Sequence, residues 1–297
     1  MRLIAFVGTS ALFAALAFAG ADESFFAAGS NWMLVGKGYQ LTADSTVAKD
    51  GSVYFTDHNN NRILKVDPRG KVSVWKAPSG GAHGIAIGPD GRLYTGHHNQ
   101  KSIVAIDARG KESVAAEGMQ THHLVVTKRS EIYFADAPNH KVWLVDTTGK
   151  SRVVTMELNW PHGLRLSPDG SRLFVTDSHT RWVTSFEIRP DGSLASGTHF
   201  CQLESRNNEA DVDAGGMTFD TQGYLYVATK LGVQVFDRRG RFQETVVVPG
   251  TDGTTSVFFG GSGMKWLYVT DGEKLYRRLT CGAAFQGCHA PIRRGIR

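Results

Sequence analysis

The chain is 297 residues long and carries a formal charge of +5, from 33 Lys and Arg against 28 Asp and Glu. Part of that modest excess sits in the tail "PIRRGIR", and no dense basic stripe with interleaved aromatics occurs, so nucleic acid is not an expected partner. Three cysteines without a C-x-x-C exclude both a disulfide-built scaffold and a cysteine zinc site.

The N-terminus reads "MRLIAFVGTSALFAALAFAGADES": one positive charge at Arg2, an apolar run from Leu3 to Phe18, then small residues in an A-x-A pattern. This is the layout of a signal peptide spanning residues 1–21, cleaved after Ala19 or Ala21, with a retained anchor as the alternative. No later segment approaches the ~20 consecutive apolar residues of a membrane span. The expectation is an exported protein, periplasmic or extracellular, monomeric, acting on a small-molecule substrate. Residues 22–34 form a lead-in. The segment "NWMLVGKGYQL" (31–41) then stands alone before a set of repeats.

Those repeats dominate the remainder. "KDGSVYFTD", "GPDGRLYTGH", "KRSEIYFAD", "SPDGSRLFVTD", "DTQGYLYVAT" and "SGMKWLYVTD" each place a turn ahead of a short alternating strand with a central aromatic. Second hairpins follow, as in "RILKVDPRGKVSVW" and "KVWLVDTTGKSRVV". Each unit reads as four antiparallel strands, A to D from inside outward. Six such units predict an all-β, six-bladed propeller over residues 35–280. The lone segment 31–41 is expected to supply the outer strand of the last blade, whose own last run "KLYRRLT" stops early. Residues 281–297 form a tail, in which Cys281 and Cys288 could close a short loop.

The hairpins, "HGLRLSPDGSRLFVTDS", "GGMTFDTQGYLYVATKLGVQVFDRRGR" and the "FGG" of 259–261 resemble the regucalcin/gluconolactonase/luciferin-regenerating-enzyme (SGL) family over residues 35–280. The resemblance implies a six-bladed propeller, lactonase or esterase activity, and a divalent cation held by Glu, Asn and Asp at the top of the channel.

Counting eight residues back from each hairpin turn lands on Ala43, His83, His122, His162, Gly215 and Ser256, one slot at the start of every strand A. The family's oxygen ligands are missing there. "ADS" (43–45) replaces Glu-Gly-Pro, histidines replace three Asn, and "GG" (215–216) replaces Asp-Gly. Three neutral imidazoles from adjacent blades suit a divalent transition metal, zinc foremost, rather than calcium. His83, His122 and His162 are therefore the expected ligands. Carboxylates or imidazoles ending strand B would support them: His97, Asp136 and Asp177. His123, one step past the slot, is the candidate general base. Strand alternation turns it between blades instead, leaving open which of the adjacent pair faces the channel. The long connection "ESRNNEADVD" offers Glu209, Asp211 and Asp213 as lid or substrate contacts.

The expected activity is metal-dependent hydrolysis of a lactone or ester. The alternatives are a lyase using the same site and a non-catalytic ligand- or protein-binding propeller. No G-x-S-x-G elbow or dinucleotide fingerprint is present.

Overall fold

The computed structural model describes residues 25–210, 212–250 and 253–281. The segment expected to be a signal peptide, Asp211, Cys288 and the basic tail lie outside the described residues. Six four-stranded antiparallel sheets account for all the strands described. Blade 1 comprises β2 (Thr42–Val47), β3 (Val53–Asp57), β4 (Arg62–Val66) and β5 (Val72–Lys76). Blade 2 follows with β6 (Ala82–Ile87) to β9 (Glu112–Glu117), and blade 3 with β10 (Leu124–Val126) to β13 (Ser151–Thr155). Blade 4 runs from β14 (Pro161–Leu166) to β17 (Thr198–Gln202), and blade 5 from β18 (Met217–Phe219) to β21 (Phe242–Val246).

Blade 6 takes β22 (Thr254–Gly260), β23 (Trp266–Asp271) and β24 (Lys274–Leu279) from the end of the chain and β1 (Met33–Lys37) from its beginning. The pairing of Met33 with Arg277 and Lys37 with Lys274 closes the ring as expected from segment 31–41. Closure removes the free edge that an open array would expose.

The outer hairpins share one device. In blades 1, 2, 3 and 5 an aspartate after strand C (Asp67, Asp107, Asp146, Asp237) accepts the backbone N–H groups two and four residues on. Those bonds fix the turn into strand D, which explains the recurrent D-x-x-G. The apolar core lies between blades. Tyr133, Leu144, Leu164 and Phe186 pack between blades 3 and 4, and Val235, Val257 and Leu267 between blades 5 and 6.

Strand A is bulged near its start in every blade. Two residues oppose one residue of strand B: 43–44 face Thr56, 83–84 face Gly96, 162–163 face Thr176 and 255–256 face Thr270. In blade 3 the N–H of His122 and the C=O of His123 both bond Ala135, and Gly215 and Gly216 share Ala228 in the same way. Six bulges thus ring the axis at one level, where an extra residue re-aims side chains.

Candidate functional site

The bulges correct the sequence register at one position. Their first residues are Ala43, His83, His122, His162, Gly215 and Thr255, so the slot of blade 6 holds Thr255 rather than Ser256. The 3₁₀ turn Ser262–Met264 lengthens that hairpin and displaces the count by one. The second residues are Asp44, Gly84, His123, Gly163, Gly216 and Ser256. Backbones crowd here: a Cβ on Gly84 would lie 2.0 Å from the His122 carbonyl oxygen, and one on Gly163 2.2 Å from that of Gly215. Glycine therefore fills this position in three blades, and side chains occur only where the neighbouring strand leaves room.

Because 122 and 123 together oppose a single residue, alternation is suspended and both imidazoles join one cluster. Ring centroids are 5.1 Å apart for His83 and His122, 6.0 Å for His122 and His162, and 4.7 Å for His123 and His162. Two histidines unremarked in the sequence reading extend the group. His58 lies 5.2 Å from His83, and His98 lies 6.4 Å from His122. Both follow the end of a strand B, in "TDHNN" and "GHHNQ", close to the mouth where strand A begins.

His123 is buried and its Nδ1 lies 3.2 Å from Asp44 Oδ1, contributed by blade 1. Asp44 is also buried, and its oxygens are fixed by backbone donors: Ser45 N–H to Oδ1 at 2.7 Å and Ile85 N–H to Oδ2 at 3.0 Å. A carboxylate facing Nδ1 favours the tautomer with the proton there, leaving Nε2 as a bare acceptor. Nε2 of His123 is buried without a hydrogen-bond partner in the described structure. Asp44 was missed in sequence because it sits one step past the slot. The signal was its place as the one carboxylate among the six second bulge residues.

Burial, reinforced by the charge of neighbouring histidines, holds His83 and His162 well below the usual histidine value. The same causes bring His122 down to about 4, and His98 is lowered by burial and His58. These rings are neutral at neutral pH, the form that ligates metals. Nδ1 of His83, His98 and His122 is buried and unpartnered, whereas Nδ1 of His162 faces the Ala214 carbonyl at 3.3 Å. A cluster of buried orphan nitrogens requires a partner such as water or an ion. The donor set therefore fits a borderline transition metal chemically. Among the described residues, no three His, Cys, Asp or Glu side chains are arranged to hold an ion as they stand, so binding calls for the imidazoles to turn.

The three expected supporting residues engage other partners. His97 Nδ1 pairs with Gln100 Oε1 at 2.9 Å. Asp136 accepts Asn139 Nδ2 at 2.9 Å and Trp143 Nε1 at 3.2 Å, and reaches His122 only through its charge. Asp177 accepts the N–H groups of Asn159 and Trp160 at 2.7 and 2.8 Å, fixing the chain just ahead of β14 and its His162. In the long connection, Glu209 and Asp213 are exposed beside the 3₁₀ turn Arg206–Asn208, and neither lines the channel cavity. Beyond His123 and Asp44 the channel opens into a cavity of about 290 Å³ that extends along the six A strands.

A family model described as "SMP-30/Gluconolactonase/LRE-like region" matches residues 43–273, more than half of the chain. The chain belongs to this family. A curated relative, pentonolactonase XacC of Haloferax volcanii, is 29% identical over 139 residues, covering 46% of this chain and 46% of that protein. The chain spans about half the length of the curated relatives it matches. The solved structure of XC5397 from Xanthomonas campestris, described as a gluconolactonase, has a TM-score of 0.76 at 21% identity, over 88% of this chain and 93% of that one. A regucalcin from Agrobacterium tumefaciens, described as a calcium-binding protein, has a TM-score of 0.70 at 16% identity, over 85% and 95%. Within this SMP-30/gluconolactonase frame, the present mouth is lined by nitrogen donors.

Proposed function

We propose that the protein is an exported, metal-dependent hydrolase that opens a lactone or ester at the mouth of the propeller channel. The observation that carries this reading is the buried His123–Asp44 pair, set among imidazoles with unpartnered nitrogens in a chain of the gluconolactonase family. His123 Nε2 takes a proton from the attacking water, while Asp44 holds the ring and balances the imidazolium that forms. His83, His122 and His162 would hold a divalent transition metal, zinc foremost. When bound, it supplies Lewis-acid polarisation of the carbonyl and a more acidic water. Ala43, Gly215 and Thr255, from the remaining blades, leave the space opposite for a small substrate.

The test is acid release from glucono- and pentonolactones, followed by titration, with protein prepared free of chelator and supplied with zinc. We expect turnover above the spontaneous rate, and a loss of about 10²–10⁴-fold in His123→Ala and Asp44→Asn, in line with general-base catalysis. Metal analysis should find one transition metal per chain, lost in His83→Ala/His162→Ala. A wild-type rate no faster than the spontaneous one overturns the hydrolase reading, and an equal, faster-than-spontaneous rate in His123→Ala removes His123 as the base. A product with a new carbon–carbon double bond and no water uptake identifies a lyase instead. Export is checked by the N-terminus of the protein recovered outside the cytoplasm, which should begin after Ala19 or Ala21.

A further inference from the structure

Arg165, on β14, projects into the channel cavity beyond the histidines. A guanidinium carries five N–H donors. The structure gives Arg165 a single hydrogen bond, from Nη2 to Thr218 Oγ1 of blade 5 at 3.2 Å, and no ion pair among the described residues. The side chain is half-buried, and the surrounding protein presses against its charge while the nearby Asp44 carboxylate favours it. Asp44 does not supply the missing acceptor. Among the described residues it makes neither a hydrogen bond nor an ion pair with Arg165, and its partners are Ser45 N–H, Ile85 N–H and His123. Two other polar side chains lining the cavity, Ser45 and Ser256, bond each other at 2.9 Å. A half-buried cation beside about 290 Å³ of space, with one of its five donors bonded and a carboxylate near but not bonded to it, leaves room for an acceptor in the cavity.

We propose that the axial cavity is a binding site for a small monovalent anion, a halide or a short carboxylate, held by the guanidinium of Arg165. The planar fork suits a carboxylate through two parallel N–H···O bonds, and a halide through the same donors. The cavity adjoins the mouth, since Asp44 and His123 line its near end, but His83, His122 and His162 do not line it and Arg165 stands among the later residues of the A strands.

Crystals of the full protein grown in sodium bromide test it, by anomalous scattering at the bromine edge. Wild type should show a bromide in the axial cavity against Arg165, and Arg165→Gln should show none there. In parallel, sodium formate should raise the wild-type unfolding midpoint in a saturable way and leave Arg165→Gln unmoved, with sodium sulfate as the ionic-strength control. A bromide peak without a formate response supports the site and restricts it to halides. An empty cavity in the wild-type bromide crystals, together with equal formate responses in the two proteins, overturns the proposal. The wild-type bromide measurement stands even where the variant fails to fold.

Discussion

At the scale of single residues, the mouth concentrates neutral imidazoles in a way that ties stability to pH. His122 is held at about 4, and His83 and His162 are likewise held well below the usual histidine value by burial. In the unfolded chain these groups return to an ordinary histidine value near 6.5. Between those limits the unfolded state binds more protons, so acid favours unfolding. Stability is full above about pH 6.5 and falls as pH drops towards 4, where the folded ring of His122 also takes its proton. We therefore expect the unfolding midpoint of chelator-treated protein to fall by several degrees between pH 7 and pH 5, and the fall to be smaller in His122→Gln. A midpoint flat across that range contradicts the assignment. His83, His122 and His162 were legible in the sequence because repeats align them. Asp44 and Arg165 were not, since their partners, His123 and Thr218, belong to other blades and no spacing announces them.

At the scale of elements, the decisive feature is the bulge in strand A. Simple alternation sends His122 and His123 to opposite faces, and only the extra residue opposite Ala135 brings both into one cluster. Sequence patterning carries no direct mark of a bulge, so the fate of the pair stayed open until the register was seen. The glycines are its indirect trace. Gly84 has an ordinary φ, so its requirement is close approach to the His122 carbonyl of blade 3 rather than backbone freedom. Gly84→Ala should push those two strands apart and destabilise the fold by about 1–3 kcal/mol, the usual range for overpacking. Urea unfolding measures this, and the variant should also disturb the His83–His122 spacing. A stability within 0.5 kcal/mol of wild type, a typical surface-substitution effect, would show that the ring yields more readily than the contact implies.

At the scale of the whole molecule, the chain's first and last strands meet in one blade. The architecture was legible because each blade repeats the same turn chemistry, and the short final unit advertised its missing strand. Removing residues up to Lys37 should strip β1 from β24 and expose a sheet edge. We expect the truncated protein to associate on size-exclusion chromatography and to lose its sharp unfolding transition. A monomer with a wild-type transition would mean that closure by β1 is dispensable. The direction of those strands has a further consequence. Lys37 pairs with Lys274 beside the mouth, whereas Met33 pairs with Arg277 farther along, and Phe26 bridges Thr280 farther still. Both ends of the described chain thus leave by the floor of the disc, away from the histidines. A support, fusion partner or tether joined directly at Phe25 or Cys281 would hold the propeller from behind, with its open cup turned outward.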